Sequence, residues 1–170
     1  MCGQTDREVS SMFQVGDKIV HPMHGAGVVD EIVTQKVDGV LRDYYSLKLP
    51  VGGMQVMIPT DHCGEIGVRA ILTGAETEQV LGELAALQVD MDDNWNHRYR
   101  TNLERMKSGS LLEVGKVAKG LLDREARRGL STGERKMLHA AKQILASEVG
   151  LAQCISYQEA EDRIRRALQA

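Results

Sequence analysis

Two periods divide the chain. Up to residue 59 apolar side chains alternate with polar ones or gather in short β-branched runs, and from residue 77 onward they recur every three or four positions. Asp17 to Pro22 is a short extended segment that the proline stops. Gly25-Ala26-Gly27 supplies a turn or bulge. Val28 to Lys36 is rich in β-branched residues, with Val28, Val29, Ile32 and Val33. Asp38-Gly39 suits a two-residue hairpin turn, because both positions tolerate positive φ. Leu41 to Leu49 then sets Tyr45, Leu47 and Leu49 on one face and Ser46 and Lys48 on the other. Gly52-Gly53 makes a second turn before the strand Met54 to Pro59. Short strands at this spacing predict a small antiparallel barrel or curled sheet. Its core is thin, so it leans on the second half or on a partner.

The second half reads as helices. Thr77 to Leu87 aligns Val80, Leu81, Leu84 and Leu87. After the acidic stretch Asp90 to Asp93, Asn94 can cap a helix carrying Trp95, Tyr99, Leu103 and Met106. Ser110 can cap a helix bearing Leu111, Leu112, Val114, Val117, Ala118, Leu121 and Leu122, with Gly129 at its C-terminal end. Ser131 with Glu134 forms a capping box before Met137, Leu138, Ala141, Ile144 and Leu145, and Ser156 with Glu159 repeats it before a final helix. The expectation is an α+β chain of two domains. A β-barrel covers 12–66 and an all-α bundle of about five helices covers 73–170. Residues 1–11 form an extension, expected to be disordered.

Charge changes the picture. The net charge is −3, yet residues 97–142 hold twelve bases against five acids, whereas residues 70–96 hold six acids and no base. A concentrated basic face is what a polyanion partner requires. No apolar run is long enough to span a bilayer, and the first residues have no apolar signal core, so a cytoplasmic protein with no membrane partner is expected. Cys2, Cys63 and Cys154 are far apart and form no CxxC pair. His21 and His24 flank a proline and a glycine turn rather than a helix face, so no metal site is expected. No nucleophile–base pairing, phosphate loop or dinucleotide fingerprint is present in the pattern, which predicts no enzyme, no catalytic residues, no cofactor and no small-molecule substrate.

Two constellations remain. In Asn94-Trp95-Asn96-His97-Arg98-Tyr99-Arg100, an indole lies just inside a helix N-terminus with two arginines close by. Such an end attracts phosphate, and a flat apolar ring there can stack on a base or wedge a base step. The pattern equally allows Trp95 to be a core residue above Tyr99 and Leu103. In the second, Arg124, Arg127 and Arg128 end one helix, where cations suit the macrodipole, while Arg135 and Lys136 open the next, where they do not. That conflict favours a polyanion partner.

The segment Met12-Phe13-Gln14-Val15-Gly16-Asp17-Lys18-Ile19-Val20-His21-Pro22-Met23-His24-Gly25-Ala26-Gly27 resembles the opening of the CarD family of bacterial transcription regulators. The transcription-repair coupling factor shares this module. Asn94 through Glu104, and Arg128-Gly129-Leu130-Ser131-Thr132-Gly133-Glu134-Arg135-Lys136-Met137-Leu138, resemble DNA-contacting parts of the same family. The likeness runs from Met12 to about Ala152. It implies a Tudor-like barrel followed by a helical bundle. It implies that the barrel binds the RNA polymerase β subunit through a strand edge, here Val33, Gln35 and Lys36 on one strand and Gln55, Val56 and Met57 on another. Family members often carry arginine where Gln35 and Met57 stand, so the ionic part of that contact differs here. It also implies that Trp95 wedges at the upstream edge of the promoter bubble and stabilises the open complex. Arg98, Arg100, Arg124, Arg128, Arg135 and Lys136 would face the DNA without reading its sequence. The alternative is a protein-interaction adaptor without direct DNA contact, which requires Trp95 to be buried.

Overall fold

The computed structural model describes residues 12–170, and the extension expected over residues 1–11 lies outside them. The first half forms five strands and one short helix: β1 (Lys18–His21), β2 (Gly25–Val37), β3 (Val40–Lys48), β4 (Gln55–Pro59), α1 (Cys63–Ile66) and β5 (Arg69–Ala70). All pairings are antiparallel, in the order β4-β3-β2-β1-β5. Asp38 and Gly39 take φ of 50° and 79°, the positive values a tight hairpin turn demands, and bring Val37 opposite Val40. The alternation puts Tyr45, Leu47 and Leu49 in the core with Ile19, Val29 and Ile58. Phe13 closes one end, edge-on to Tyr45 at 5.8 Å, and its N–H donates to the Tyr45 hydroxyl.

The sheet is open where a barrel is predicted. β4 and β5 are its two edges, and no ladder joins them among the described residues. β5 is only two residues long and spends both on β1.

Five helices follow: α2 (Gly74–Ala86), α3 (Trp95–Lys107), α4 (Leu111–Arg128), α5 (Thr132–Gln153) and α6 (Tyr157–Gln169). Asn94, Ser110, Ser131 and Ser156 each accept from the N–H three residues on, which satisfies a donor left orphaned by the helix start. α2 begins three residues earlier than its apolar pattern predicts, because Thr73 and Glu76 form a capping box of their own. Leu84, Val117, Leu121, Ala141, Leu145 and Val149 are fully buried at the centre. Each buried leucine or valine contributes about 1.5–3 kcal/mol. α5 runs through the middle, packed against α2, α4, α6 and β2.

α3 is rotated from the expected face. Arg98, Asn102 and Met106 point inward, while Tyr99 and Leu103 are half-buried at its flank. This rotation sets up the site.

Candidate nucleic-acid interface

Trp95 is the first residue of α3, after the Asn94 cap. Its ring stacks on Tyr99 one turn below, with centroids 5.1 Å apart and planes 15° from parallel. Its Nε1 donates to Ser131 Oγ at 3.1 Å. With those contacts made, the residue is still 45% exposed. Trp95 is therefore not a core residue; it is a surface ring held in a fixed seat. Ser131 is the N-cap of α5, so two helix N-termini meet at this indole. Each helix start brings orphan N–H groups and the positive end of a macrodipole close to the ring.

A buried network holds the seat. Arg98 is expected on the DNA-facing surface, but it is only 3% exposed. Its Nε and Nη2 both donate to Glu134 Oε1, at 2.9 and 2.6 Å. Its Nη1 donates to the carbonyls of Asp92 and Asp93, both at 3.0 Å. Glu134 Oε2 accepts from the Ser131 N–H, completing the capping box. Arg98 is thus corrected from a phosphate contact to a strut. It ties the start of α3 and the chain before it to the start of α5, and has no free donor face left for a ligand. Its inward direction follows from spacing: Arg98, Asn102 and Met106 recur every four residues.

The other cations divide into two groups. Arg100, Arg135 and Lys136 are exposed and carry no ion pair among the described residues. Arg124 and Arg128 both reach Asp93, at 3.8 and 3.5 Å, and the Arg124 side chain is largely covered. Arg127 pairs with Asp123 on its own helix.

The sheet residues also divide. The pairing of β2 with β1 and the residues before it reaches only to Val29, so Ile32 to Val37 of β2 pair on one side only, with β3. β4 likewise pairs only with β3. Cross-strand partners share a face. Val33 and Gln35 lie on the outer face through Tyr44 and Arg42, and Gln55 and Met57 lie there through Lys48 and Ser46. Met57 is exposed on this face. Lys36 and Val56 belong to the opposite face, opposite Leu41 and Leu47. Val56 packs, half-buried, on the sheet's own core, so what it offers a partner strand is its backbone edge. Sequence reasoning missed Arg42. It is exposed directly opposite Gln35 and has no ion pair among the described residues. The Asp38-Gly39 hairpin was the signal that could have found it, because that turn fixes the register.

Residues 13–72 match the CarD-like/TRCF RID domain and residues 79–165 match the CarD C-terminal domain. The chain belongs to the CarD family. It is 30% identical to YdeB of Bacillus subtilis (strain 168), a candidate transcription factor, over 138 residues that cover 81% of this chain and 90% of that one. It also aligns at 28% identity with an alanine–tRNA ligase of Synechococcus elongatus, over 86% of this chain but 16% of that enzyme. CarD membership makes transcription regulation the class of function, and the match to the CarD-like/TRCF RID domain points to RNA polymerase as a partner. Among the described residues of this CarD chain, no three His, Cys, Asp or Glu side chains gather to hold a metal ion. No helix among them is long and apolar enough to cross a membrane.

Proposed function

We propose that this CarD protein stabilises the open promoter complex by binding alone, without chemistry of its own. The sheet docks on the polymerase β subunit by the one-sided stretch of β2 and the outer face it shares with β4. Backbone groups there recruit a partner strand, and Arg42 supplies the positive charge that Gln35 and Met57 do not. The start of α3 then lies at the upstream edge of the bubble. Trp95 stacks where base pairs part, and Arg100, Arg135 and Lys136 hold nearby phosphates. Arg124 and Arg128 join them when they release Asp93.

The observation that carries this reading is the seated, half-exposed indole. A ring already stacked, hydrogen-bonded and partly open loses little freedom on binding. A stacking contact of about 1–3 kcal/mol, present only in the open state, shifts the open-to-closed ratio by roughly 5- to 150-fold. Sequence reading is unnecessary, since polymerase supplies the address and tethering raises the local concentration. The adaptor alternative requires a buried Trp95, which is not what the ring's exposure favours.

The test is the lifetime of open complexes with the cognate polymerase, measured without protein, with wild type and with Trp95→Ala. Wild type should lengthen the lifetime, and Trp95→Ala should lose most of that effect while keeping its helical circular dichroism. An unchanged lifetime with wild type would remove the DNA-side mechanism.

A further inference from the structure

α5 holds both surfaces. Its first turn carries Ser131 and Glu134, which seat Trp95 and Arg98. Its last third carries the sheet, through three consecutive strands of contact. Ser147 Oγ accepts from the Ala26 N–H of β2 at 2.9 Å. The Leu151 carbonyl accepts from Lys18 Nζ of β1. Glu148 takes the end of β5: Oε1 accepts from Arg69 Nη2 and Oε2 from Arg69 Nη1, both at 2.7 Å, and Oε2 also accepts from the Leu72 N–H at 2.9 Å. Arg69 Nε donates to the Gly109 carbonyl between α3 and α4, at 2.7 Å. One guanidinium therefore joins the sheet, the α3–α4 turn and α5. Gly25 brings β2 onto the helix backbone: a Cβ there would lie 2.6 Å from Ser147 Oγ and 3.2 Å from Ile144 Cα.

Glu148 is fully buried. Arg69 is partly exposed, but parting the pair would leave the Glu148 carboxylate buried without its countercharge, which penalises every arrangement that separates them. Apolar faces can slide by a fraction of a turn at small cost, whereas a bidentate pair cannot. The rise of a helix sets Glu134 and Glu148 about 20 Å apart along one rigid axis.

We propose that α5 is a fixed-length spacer between the two contact surfaces, and that Glu148 and Arg69 are positioning residues that lock the sheet at its far end. This rests on the two-surface reading above. A polymerase-docked sheet then delivers the indole to one point in space rather than to a volume. Loosening the lock leaves docking intact and dilutes the indole at the fork.

The experiment uses the full chain with Glu148→Gln, and Ser147→Ala as a second variant that keeps the ion pair but removes the neighbouring tie. Spin labels at Val40→Cys and Lys107→Cys, with Cys2 and Cys154 replaced by serine, report the spacing between sheet and bundle. Unlabelled variants are titrated into open-complex lifetime assays, giving a maximal effect and a half-saturating concentration. Glu148→Gln should broaden the distance distribution and cut the maximal effect about tenfold, with half-saturation within about twofold of wild type. Ser147→Ala should move in the same direction by less. A distribution as narrow as wild type in both variants overturns the proposal. So does a broadened distribution with an undiminished maximal effect, or a loss that merely tracks the unfolded fraction. If wild type itself leaves lifetimes unchanged, the functional reading falls, while the distance distributions still decide whether Glu148 sets the arrangement.

Discussion

Glu134→Ala is the most demanding perturbation of the Trp95 seat. Glu134 is 1% exposed and is the sole carboxylate within reach of Arg98 among the described residues. Removing it leaves a buried guanidinium with two carbonyl partners but no countercharge, a change that costs about 3–5 kcal/mol. It also opens the capping box at Ser131, whose N–H loses its acceptor. Against a total stability of roughly 5–15 kcal/mol for a domain, that is a large fraction. At roughly 2–4 °C per kcal/mol for a chain of this size, Tm should fall by about 6–20 °C. The assay is thermal and urea unfolding followed by circular dichroism and, separately, by the fluorescence of Trp95, the one tryptophan in the sequence. Arg98→Met combined with Glu134→Leu should recover most of the loss, because an apolar pair of similar volume needs no countercharge. A Glu134→Ala protein within about 1 kcal/mol of wild type, or a double variant no better than the single, would refute the strut assigned to Arg98.

Two further outcomes are expected. Ser131→Ala removes both the cap of α5 and the acceptor of the indole N–H; it should cost about 1 kcal/mol and make Trp95 more readily quenched by acrylamide, and unchanged quenching would mean that Ser131 does not fix the ring. His21, whose pKa is lowered to about 4 by burial and then by the charge of His24, resists protonation in the folded state more than in the unfolded one. Its contribution is thus complete above the ordinary histidine value of 6.5 and is lost as pH falls from there toward 4. Urea midpoints of wild type should drop more between pH 7 and 4.5 than those of His21→Gln, and parallel curves would exclude this group.

Local chemistry made the larger elements readable in advance. The Asp38-Gly39 turn, the alternation through Tyr45, Leu47 and Leu49, and the caps at Asn94, Ser110, Ser131 and Ser156 all act within a few residues, so they are written in consecutive letters. What escaped depends on partners distant in the chain. Arg98 meets Glu134 across 36 residues and Arg69 meets Glu148 across 79, and nothing beside either arginine announces its acid. An arginine in a polar helix reads as solvated, and only the three-dimensional arrangement turns Arg98 inward. β5 and α1 span two and four residues, too short to show a period. Whether the sheet closed was equally hidden, because closure depends on where the last strand lands. Trp95 lay between these cases: its position at the helix start was plain, but the exposure that separates a wedge from a core residue was not.

Asp93 carries one consequence for ionic strength. Its carboxylate already faces Arg124 and Arg128, so while those pairs stay closed the two arginines neutralise no phosphate and free none of the ions condensed on DNA. For DNA bound without polymerase, with those pairs closed, the response of affinity to salt should count Arg100, Arg135 and Lys136 alone, giving a log–log slope near about −2.7 rather than one scaled to every base on the surface. The acidic stretch before α3 thus acts as a built-in competitor, damping attraction to any nucleic acid that polymerase has not already presented.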